Sequence, residues 1–183
     1  MRSMKICLIR HAKVNMNWPR ICNSVEFDNA CKDYDLADIF KVNAVNVDSE
    51  YSRIYVSSMY RSKETARGLF PDSVYCEIDA EEVPLKSFVD CSIKMPLWIW
   101  NIMGRLQWYF NGSRQKERRV DTVERCKKII RELESKNEDC IVVTHGFFMR
   151  LLIKCLKLQG YHVSNNKMGI SNLHFIYAQR ELT

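Results

Sequence analysis

The feature that most constrains the fold is a short apolar run at residues 4–9, which ends abruptly in the adjacent pair Arg10–His11. Short runs of aliphatic and β-branched residues bounded by charge are typical of strands buried in a parallel sheet. Open α/β sheets bind their ligands at the carboxyl ends of such strands. The run therefore predicts an α/β fold with a polar site where the strand ends. Taken alone, it also fits a strand that merely ends in polar residues.

The same arrangement recurs further along the chain. A second predicted strand, at residues 53–56, ends in Ser57 and is followed by a helical pattern that contains Arg61. Serines are favourable N-cap residues, and the N–H groups at a helix start can bind an anion. Residues 140–144 are the clearest buried strand, and they run directly into His145. Strands that alternate with helices over short links predict a three-layer α/β sandwich, with a mostly parallel central sheet and helices on both faces.

Other segments give weaker signals. Residues 13–35 are polar and predict an irregular segment with one short helix. Residues 73–78 predict a third strand, after which Glu81 and Glu82 follow. Residues 171–177 predict a last strand at the edge of the sheet.

From residue 84 to about residue 120 the composition shifts to an aromatic-rich helical stretch, which is densest at residues 97–110. The stretch is too short and too interrupted to span a bilayer. Two interpretations stay open. The segment is either a lid or wall over a ligand pocket, or it is ordinary core packing or a dimer face.

The overall composition sets broad limits. A chain of 183 residues fits one domain spanning residues 1–183. Its net charge of +6 suits an anionic partner, but such a charge also serves solubility, so we expect no nucleic-acid partner. The eight cysteines show no C-x-x-C pair and no metal-ligand spacing, which indicates reduced thiols. With no predicted signal peptide or membrane span, we expect a cytoplasmic protein.

The predicted strand ends together offer two arginines, two histidines and a carboxyl group, a set that suits attack on a dianionic phosphate. Phosphoryl transfer needs fixed positive charge around the equatorial oxygens and a nucleophile in line with the leaving oxygen. A neutral imidazole can attack the phosphorus and form a phosphohistidine. Flanking cations favour this neutral form because they lower the pKa of His11. A carboxylic acid can protonate the leaving oxygen and then activate water.

Other phosphate chemistries lack their signatures here. No cysteine is followed by an arginine six positions later, and no G-x-x-x-x-G-K-[ST] loop is present. With four histidines and no His-Glu-x-x-His motif, the sequence does not favour a metallophosphatase. A route through histidine without metal or cofactor is what the residues favour.

Three blocks carry a family resemblance. They are Leu-Ile-Arg-His at residues 8–11, Ser-x3-Arg-x3-Thr-Ala at residues 57–66, and Thr-His-Gly at residues 144–146 with Arg150 beyond. In this order the chain resembles the histidine phosphatase superfamily, which includes the cofactor-dependent phosphoglycerate mutases and many small phosphatases. The match runs from residue 4 to about residue 177.

The resemblance implies a role for each matching residue. His11 is the expected phosphorylated nucleophile, and His145 is a second catalytic group. Glu82 is the expected proton donor, with Glu81 as the alternative. The expected phosphate-binding residues are Arg10, Asn17, Ser57, Arg61 and His145.

Departures from the family pattern indicate hydrolysis. Ala12 replaces a glycine, Lys13 replaces an acidic residue common in the mutases, and the chain is too short for a mutase's long insertion. We therefore expect a metal-independent phosphomonoester hydrolase, a histidine acid-type phosphatase, acting on a small phosphorylated metabolite. Two alternatives stay open: a phosphoglycerate mutase-type phosphotransferase, and a catalytically idle relative that binds phosphopeptide or RNA.

Overall fold

The computed structural model describes residues 3–45, 51–164 and 169–181. Over these ranges the chain alternates between strands and helices, with two additional short strands that form a separate ribbon. The elements are β1 (Ser3–Arg10), β2 (Ile21–Cys22), α1 (Ser24–Leu36), β3 (Arg53–Ser57), α2 (Tyr60–Leu69), β4 (Tyr75–Ile78), β5 (Met95–Pro96), α3 (Leu97–Tyr109), α4 (Arg119–Lys136), β6 (Cys140–Thr144), α5 (Gly146–Leu158), β7 (His162–Val163) and β8 (Phe175–Glu181).

The main sheet has six strands in the order β4-β3-β6-β1-β8-β7. The first four are parallel to one another, whereas β8 is antiparallel to both β1 and β7. This confirms the predicted α/β architecture with a mostly parallel sheet. The registers place Arg10 beside Thr144, and Val56 beside Val143. The carboxyl ends of β1, β3 and β6 therefore lie side by side.

The last strand differs from the prediction. It was expected over residues 171–177 at the edge of the sheet, but β8 runs from Phe175 to Glu181 and lies between β1 and β7. The physical reason is the short strand β7, which pairs with the outer side of β8 through His162 and Val163. A two-residue strand is too short to leave a recognisable pattern in the sequence.

Successive residues of β1 serve opposite faces of the sheet, as the two-residue strand period requires. Ile6 and Leu8 pack in the core formed with α4 and α5. Cys7 and Ile9 pack in the second core, which includes α2. Because both faces are covered by helices, β1 reads as a continuous apolar run instead of an alternating one.

Helix α1 is longer than the short helix expected within residues 13–35. A reciprocal capping box between Asn23 and Glu26 fixes its start, and the helix has 13 residues. Its buried residues are only Ser24, Phe27 and Ala30, so the apolar stripe is too narrow to reveal a long helix. The prediction of a mainly irregular segment was therefore wrong for its second half.

Helix α3 forms within the aromatic-rich segment and packs on α1. Trp100 is fully buried, its indole N–H donates to the carbonyl oxygen of Cys22 (2.9 Å), and its ring stacks on Phe27. At Gly104 a Cβ would lie 2.7 Å from Leu85 Cδ1 and 3.1 Å from the Lys86 carbonyl oxygen, so any larger residue would require the preceding loop to shift. No helix in the described ranges, α3 included, is long and apolar enough to cross a membrane.

Candidate active site

The structure brings together the polar residues that follow three neighbouring strands. His11 follows β1 and its backbone N–H donates to the Thr144 carbonyl oxygen at the end of β6 (2.9 Å). His145 follows β6, and its ring centroid lies 5.0 Å from that of His11. Arg61, in the first turn of α2, contacts His145. We call Arg10, His11, Arg61 and His145 the histidine pocket.

The His11 ring is held in one tautomer. Its Nδ1 lies 2.7 Å from the carbonyl oxygen of Ala12, and a carbonyl only accepts, so Nδ1 carries the proton. Nε2 then keeps its lone pair, and it makes no hydrogen bond within the described part of the chain. The turn that presents the ring is fixed by two further bonds: Ala12 N–H to Thr65 Oγ1 (2.9 Å), and Asn172 Nδ2 to the His11 carbonyl oxygen (2.8 Å).

The environment keeps His11 neutral. Burial is the largest cause that lowers the pKa of His11, to about 3, and the positive charges of Arg61 and Arg10 lower it further. From the sequence, only the flanking cations were expected to lower this pKa. Burial cannot be read from a local motif, and here it is the stronger influence because the side chain is 1% exposed.

His145 is tied to the protein through both ring nitrogens. Arg61 Nε–H donates to Nδ1 (3.1 Å), which places the ring proton on Nε2, where the hydroxyl oxygens of Ser57 (2.8 Å) and Ser62 (3.1 Å) accept. Burial, and then Arg61, hold the pKa of His145 well below its ordinary value. Ser62 was not identified from the sequence, although its place beside Arg61 on α2 was the available signal.

Ser57 does not have the helix-capping role that the sequence predicted. The N-cap of α2 is Met59, which makes no side-chain cap bond. The hydroxyl of Ser57 is fully buried, bonds to His145 and also accepts from the Met59 N–H (3.3 Å). The serine therefore connects the end of β3 to the second histidine.

Arg61 is 1% exposed and already has a carboxylate partner. Its Nη1 donates to Asp35 Oδ1 (2.9 Å), and its guanidinium lies 4.9 Å from the centroid of the Tyr34 ring. Both partners lie in the last turn of α1. Sequence reasoning assigned them no role because no predicted strand precedes them and the segment was predicted to be mainly irregular.

Arg10 keeps a free donor next to the histidines. Its Nη1 donates to the Ile170 carbonyl oxygen (2.5 Å), whereas its buried Nε has no partner among the described residues. A Cβ on residue 146 would lie 2.8 Å from this Nε. Gly146 is therefore what allows the guanidinium to cross the start of α5.

Glu82 and Glu81 occupy different environments. The carboxylate of Glu82 accepts the backbone N–H groups of Phe147 (3.1 Å) and Phe148 (2.9 Å), at the N-terminus of the helix that follows His145. Glu81 is exposed, and its carboxylate accepts from the hydroxyl of Ser58. Glu82 is therefore the carboxylate that lies at the start of the helix carrying the second histidine into the pocket.

Asn17 is the expected phosphate contact for which the described residues show no link to the pocket. Its side chain is exposed, and within the described residues it forms no hydrogen bond with the four members of the histidine pocket. Its expected role remains a prediction.

A cavity of about 1130 Å³ lies beside the histidine pocket and shares Arg61 with it, and Glu81 and Glu82 also line this cavity. We call it the outer cavity. Its walls come from α1, from residues 81–86, from α3 and from residues 113–116. The aromatic-rich segment thus supplies both core residues, such as Trp100, and cavity wall, through Leu97, Asn101 and Arg105.

The fold and the histidine pocket together define a class: α/β proteins with paired histidines and arginines at the carboxyl edge of a parallel sheet. Within the described ranges, no three His, Cys, Asp or Glu side chains are grouped so that they could hold a metal ion. A family model described as the histidine phosphatase superfamily (branch 1) matches residues 6–179, and the chain belongs to that superfamily. This confirms the resemblance seen in the sequence.

Solved structures show the same fold at low sequence identity. A mutant phosphoserine phosphatase from Entamoeba histolytica, in complex with phosphoserine, aligns with a TM-score of 0.56 at 14% identity, over 95% of this chain and 89% of that one. A mycobacterial glucosyl-3-phosphoglycerate phosphatase aligns with a TM-score of 0.56 at 14% identity, over 97% of this chain and 91% of that one. A search of curated proteins finds no match. At these identities the likeness shows the fold alone.

Proposed function

We propose that this protein is a metal-independent phosphomonoester hydrolase that works through a phosphohistidine on His11. The observation that carries the proposal is the state of the His11 ring. Its proton is fixed on Nδ1 towards the Ala12 carbonyl, so Nε2 has a free lone pair beside Arg61 and His145. Membership of the superfamily, and the phosphatase names of the similar structures, support the same reaction.

Positive charge for the phosphate comes from the two arginines. The unpartnered Nε of Arg10 is a donor in search of an acceptor, and Arg61 offers Nη1 once Asp35 moves away. Preorganised donors are usually the main source of electrostatic stabilisation in such sites; the Nε of Arg10 fits this description, whereas Arg61 must first exchange Asp35 for the phosphate. His145 stays neutral and donates from Nε2, with Ser57 as its partner in the absence of substrate.

The reaction takes two displacements at phosphorus. In the first, the lone pair of His11 Nε2 forms the N–P bond while the ester P–O bond breaks, and Glu82 in its acid form gives its proton to the leaving oxygen. In the second, Glu82 as carboxylate takes a proton from water, the hydroxide oxygen forms the new P–O bond, and the N–P bond breaks. Free phosphate and neutral His11 result.

The alcohol part of the ester occupies the outer cavity. Arg61 and Glu82 lie on its wall, so a phosphate held in the histidine pocket leaves its ester oxygen facing that space. We propose that α3 acts as the wall that selects the alcohol, within a single domain whose helical insertion spans residues 84–120. A lid movement of this segment stays a prediction.

The test is phosphate release from p-nitrophenyl phosphate with a chelator present and no bisphosphorylated primer. We expect turnover by the wild type and a loss of about a thousandfold or more in His11→Asn, since the nucleophile is removed. His162→Asn, an exposed histidine on β7, is the matched control and should keep full activity. Unchanged turnover in His11→Asn would contradict the mechanism.

The same experiment separates the two alternatives. A mutase would release little phosphate without a primer and would move the phosphoryl group to a second hydroxyl. An idle relative would bind phosphate esters without any turnover, and its binding would survive the loss of the His11 imidazole. Mass spectrometry of rapidly quenched wild-type protein should detect the phosphorylated imidazole and assign it to His11.

A further inference from the structure

The outer cavity is larger than a small phosphorylated metabolite requires. Its volume of about 1130 Å³ slightly exceeds the range of roughly 300–1,000 Å³ in which proteins bind drug-sized ligands. A phosphate held in the histidine pocket would lie at the end of the cavity that Arg61 lines. Most of the cavity is therefore available to the alcohol part of the ester.

Positive charge exceeds negative charge on the cavity wall. Two of the lining cations are already paired: Arg61 with Asp35, and Arg114 with Asp90. Three lysines have no salt-bridge partner in the described part of the chain: Lys32, Lys86 and Lys116. These ammonium groups are free to bind an anionic group of a ligand.

The three lysines are carried by segments that are tied to one another. The buried Gln115 side chain accepts from the backbone N–H of Lys86 (3.0 Å) and donates to its carbonyl oxygen (3.0 Å). On the other side, the Asp28 carboxylate of α1 accepts from the N–H (2.7 Å) and the hydroxyl (3.1 Å) of Ser87. The segments that carry the three lysines are therefore hydrogen-bonded to one another, and the lysines do not lie on independent loops.

An aromatic surface also lines the cavity. The rings of Trp18 and Tyr34 are 5.1 Å apart at 38°, and both residues line the cavity. Tyr34 also faces the Arg61 guanidinium, which places the aromatic pair beside the expected phosphate. Aromatic pairs of this kind stack well against planar rings such as nucleobases.

We infer that the cavity binds a phosphomonoester whose alcohol is large, contains a planar ring and carries a second anionic group; a nucleoside 3′,5′-bisphosphate is the example with this chemistry. The inference rests on the proposed function for the reacting phosphate. That phosphate lies in the histidine pocket, the ring lies against Trp18 and Tyr34, and the second anion is bound by Lys32, Lys86 and Lys116.

The test compares four esters that vary size and charge independently: glycerol 3-phosphate, 3-phosphoglycerate, adenosine 5′-monophosphate and adenosine 3′,5′-bisphosphate. We expect the highest kcat/KM for the bisphosphate, at least about tenfold above the monophosphate, because one ionic contact to a bound anion is commonly a factor of this order. Equal or lower kcat/KM for the bisphosphate would overturn the inference while leaving the hydrolase proposal intact.

Variants assign the preference to the named residues. Lys32→Gln combined with Lys86→Gln should remove the tenfold advantage of the bisphosphate and leave the monophosphate rate within about twofold. Lys128→Gln, an exposed lysine on α4, is the matched control. Trp18→Ala should lower kcat/KM for both nucleotides but not for glycerol 3-phosphate. Equal losses on all four esters would show a general effect on folding or charge, and would count against the subsite.

Binding to the inert His11→Asn variant makes the outcome independent of turnover. Calorimetry should give a dissociation constant for the bisphosphate about tenfold lower than for the monophosphate, and the double lysine variant in this background should equalise the two. If the wild type hydrolyses no ester but this binding difference is present, the proposed function fails and the subsite stands. If hydrolysis is found without any binding difference, the inferred second-anion subsite is refuted and the proposed function stands.

Discussion

The histidine pocket and the outer cavity are neighbours that differ in almost every physical respect. In the pocket, His11, Arg61 and His145 are all at most 1% exposed, and both ring nitrogens of His145 are committed to protein partners. In the cavity, Lys32 and Lys116 are exposed and without salt-bridge partners in the described ranges.

The difference separates two tasks. Buried, mutually bonded groups hold one arrangement, which suits the proposed phosphoryl transfer common to every ester. In the proposed subsite, the exposed lysines would bind whatever anionic group the alcohol carries. Changes in the pocket should therefore affect every substrate alike, whereas changes in the cavity should alter the choice among substrates.

The largest expected effect is at Arg61. Arg61→Met removes the buried cation and its bond to His145, and should lower kcat/KM by about a thousandfold on every ester, a loss typical of deleting a key electrostatic contact. The measurement is phosphate release across the panel of four esters. Arg67 is an exposed arginine on the same helix, and Arg67→Met should leave kcat/KM nearly unchanged. A loss that varied strongly with the ester would contradict the division of tasks.

The second largest effect on activity is expected from substitution of Glu82. Glu82→Gln should lower kcat on glycerol 3-phosphate by about a hundredfold, because an alkoxide needs a proton to leave. On p-nitrophenyl phosphate the loss should be much smaller, since nitrophenolate leaves without one. Glu81→Gln is the matched control and should lose little on either ester. If Glu81→Gln instead shows the leaving-group dependence, Glu81 is the proton donor.

A smaller effect is expected at Asp35. Its carboxylate occupies Arg61 Nη1, so it repels an incoming phosphate and competes with it. Asp35→Asn should lower the inhibition constant of inorganic phosphate by about five- to tenfold. Asp33→Asn, an exposed neighbour on the same helix, controls for the general loss of negative charge. Weaker phosphate inhibition in Asp35→Asn would show that Asp35 positions Arg61 instead of competing.

The last prediction concerns stability. The pKa of His11 is lowered to about 3 in the folded protein, so in mild acid the unfolded chain binds a proton that the folded chain does not. Stability should therefore fall as the pH drops below about 6.5, by about 1.4 kcal/mol per pH unit for each such histidine. Urea unfolding of His11→Asn should show a shallower slope by about that amount. A slope equal to that of wild type would refute the buried neutral state, and His162→Asn serves as control.

The sequence predicted best those segments in which an apolar strand is followed directly by a polar functional residue. Residues 4–11 and 140–145 each contain both the buried strand and the group at its end, so the sheet and the meeting of His11 with His145 follow from local pattern. The family resemblance rested on the same blocks.

What it could not predict depends on distant contacts. Asp35 reaches Arg61 across 26 positions, and Gln115 reaches Lys86 across 29. Neither pair belongs to a motif. The pKa of His11 is set mainly by burial, which depends on the whole fold. Helix α1 was underestimated because few of its residues are buried, although the capping pair Asn23 and Glu26 was visible in the sequence.

The close approach of Arg10 to Gly146 has a consequence for how this protein can change over time. A methyl group at residue 146 would meet the guanidinium at 2.8–2.9 Å, so alanine there requires the Arg10 side chain to shift or to be shortened. The two substitutions are then strongly non-additive, as expected for side chains in contact. Once the arginine has been lost and alanine stands at residue 146, restoring the arginine alone makes its guanidinium clash with the new methyl group. Residues 10 and 146 are far apart in sequence, yet their contact makes the order of the two substitutions matter. The hydrogen-bond donor of Arg10 is therefore hard to restore once it has been lost.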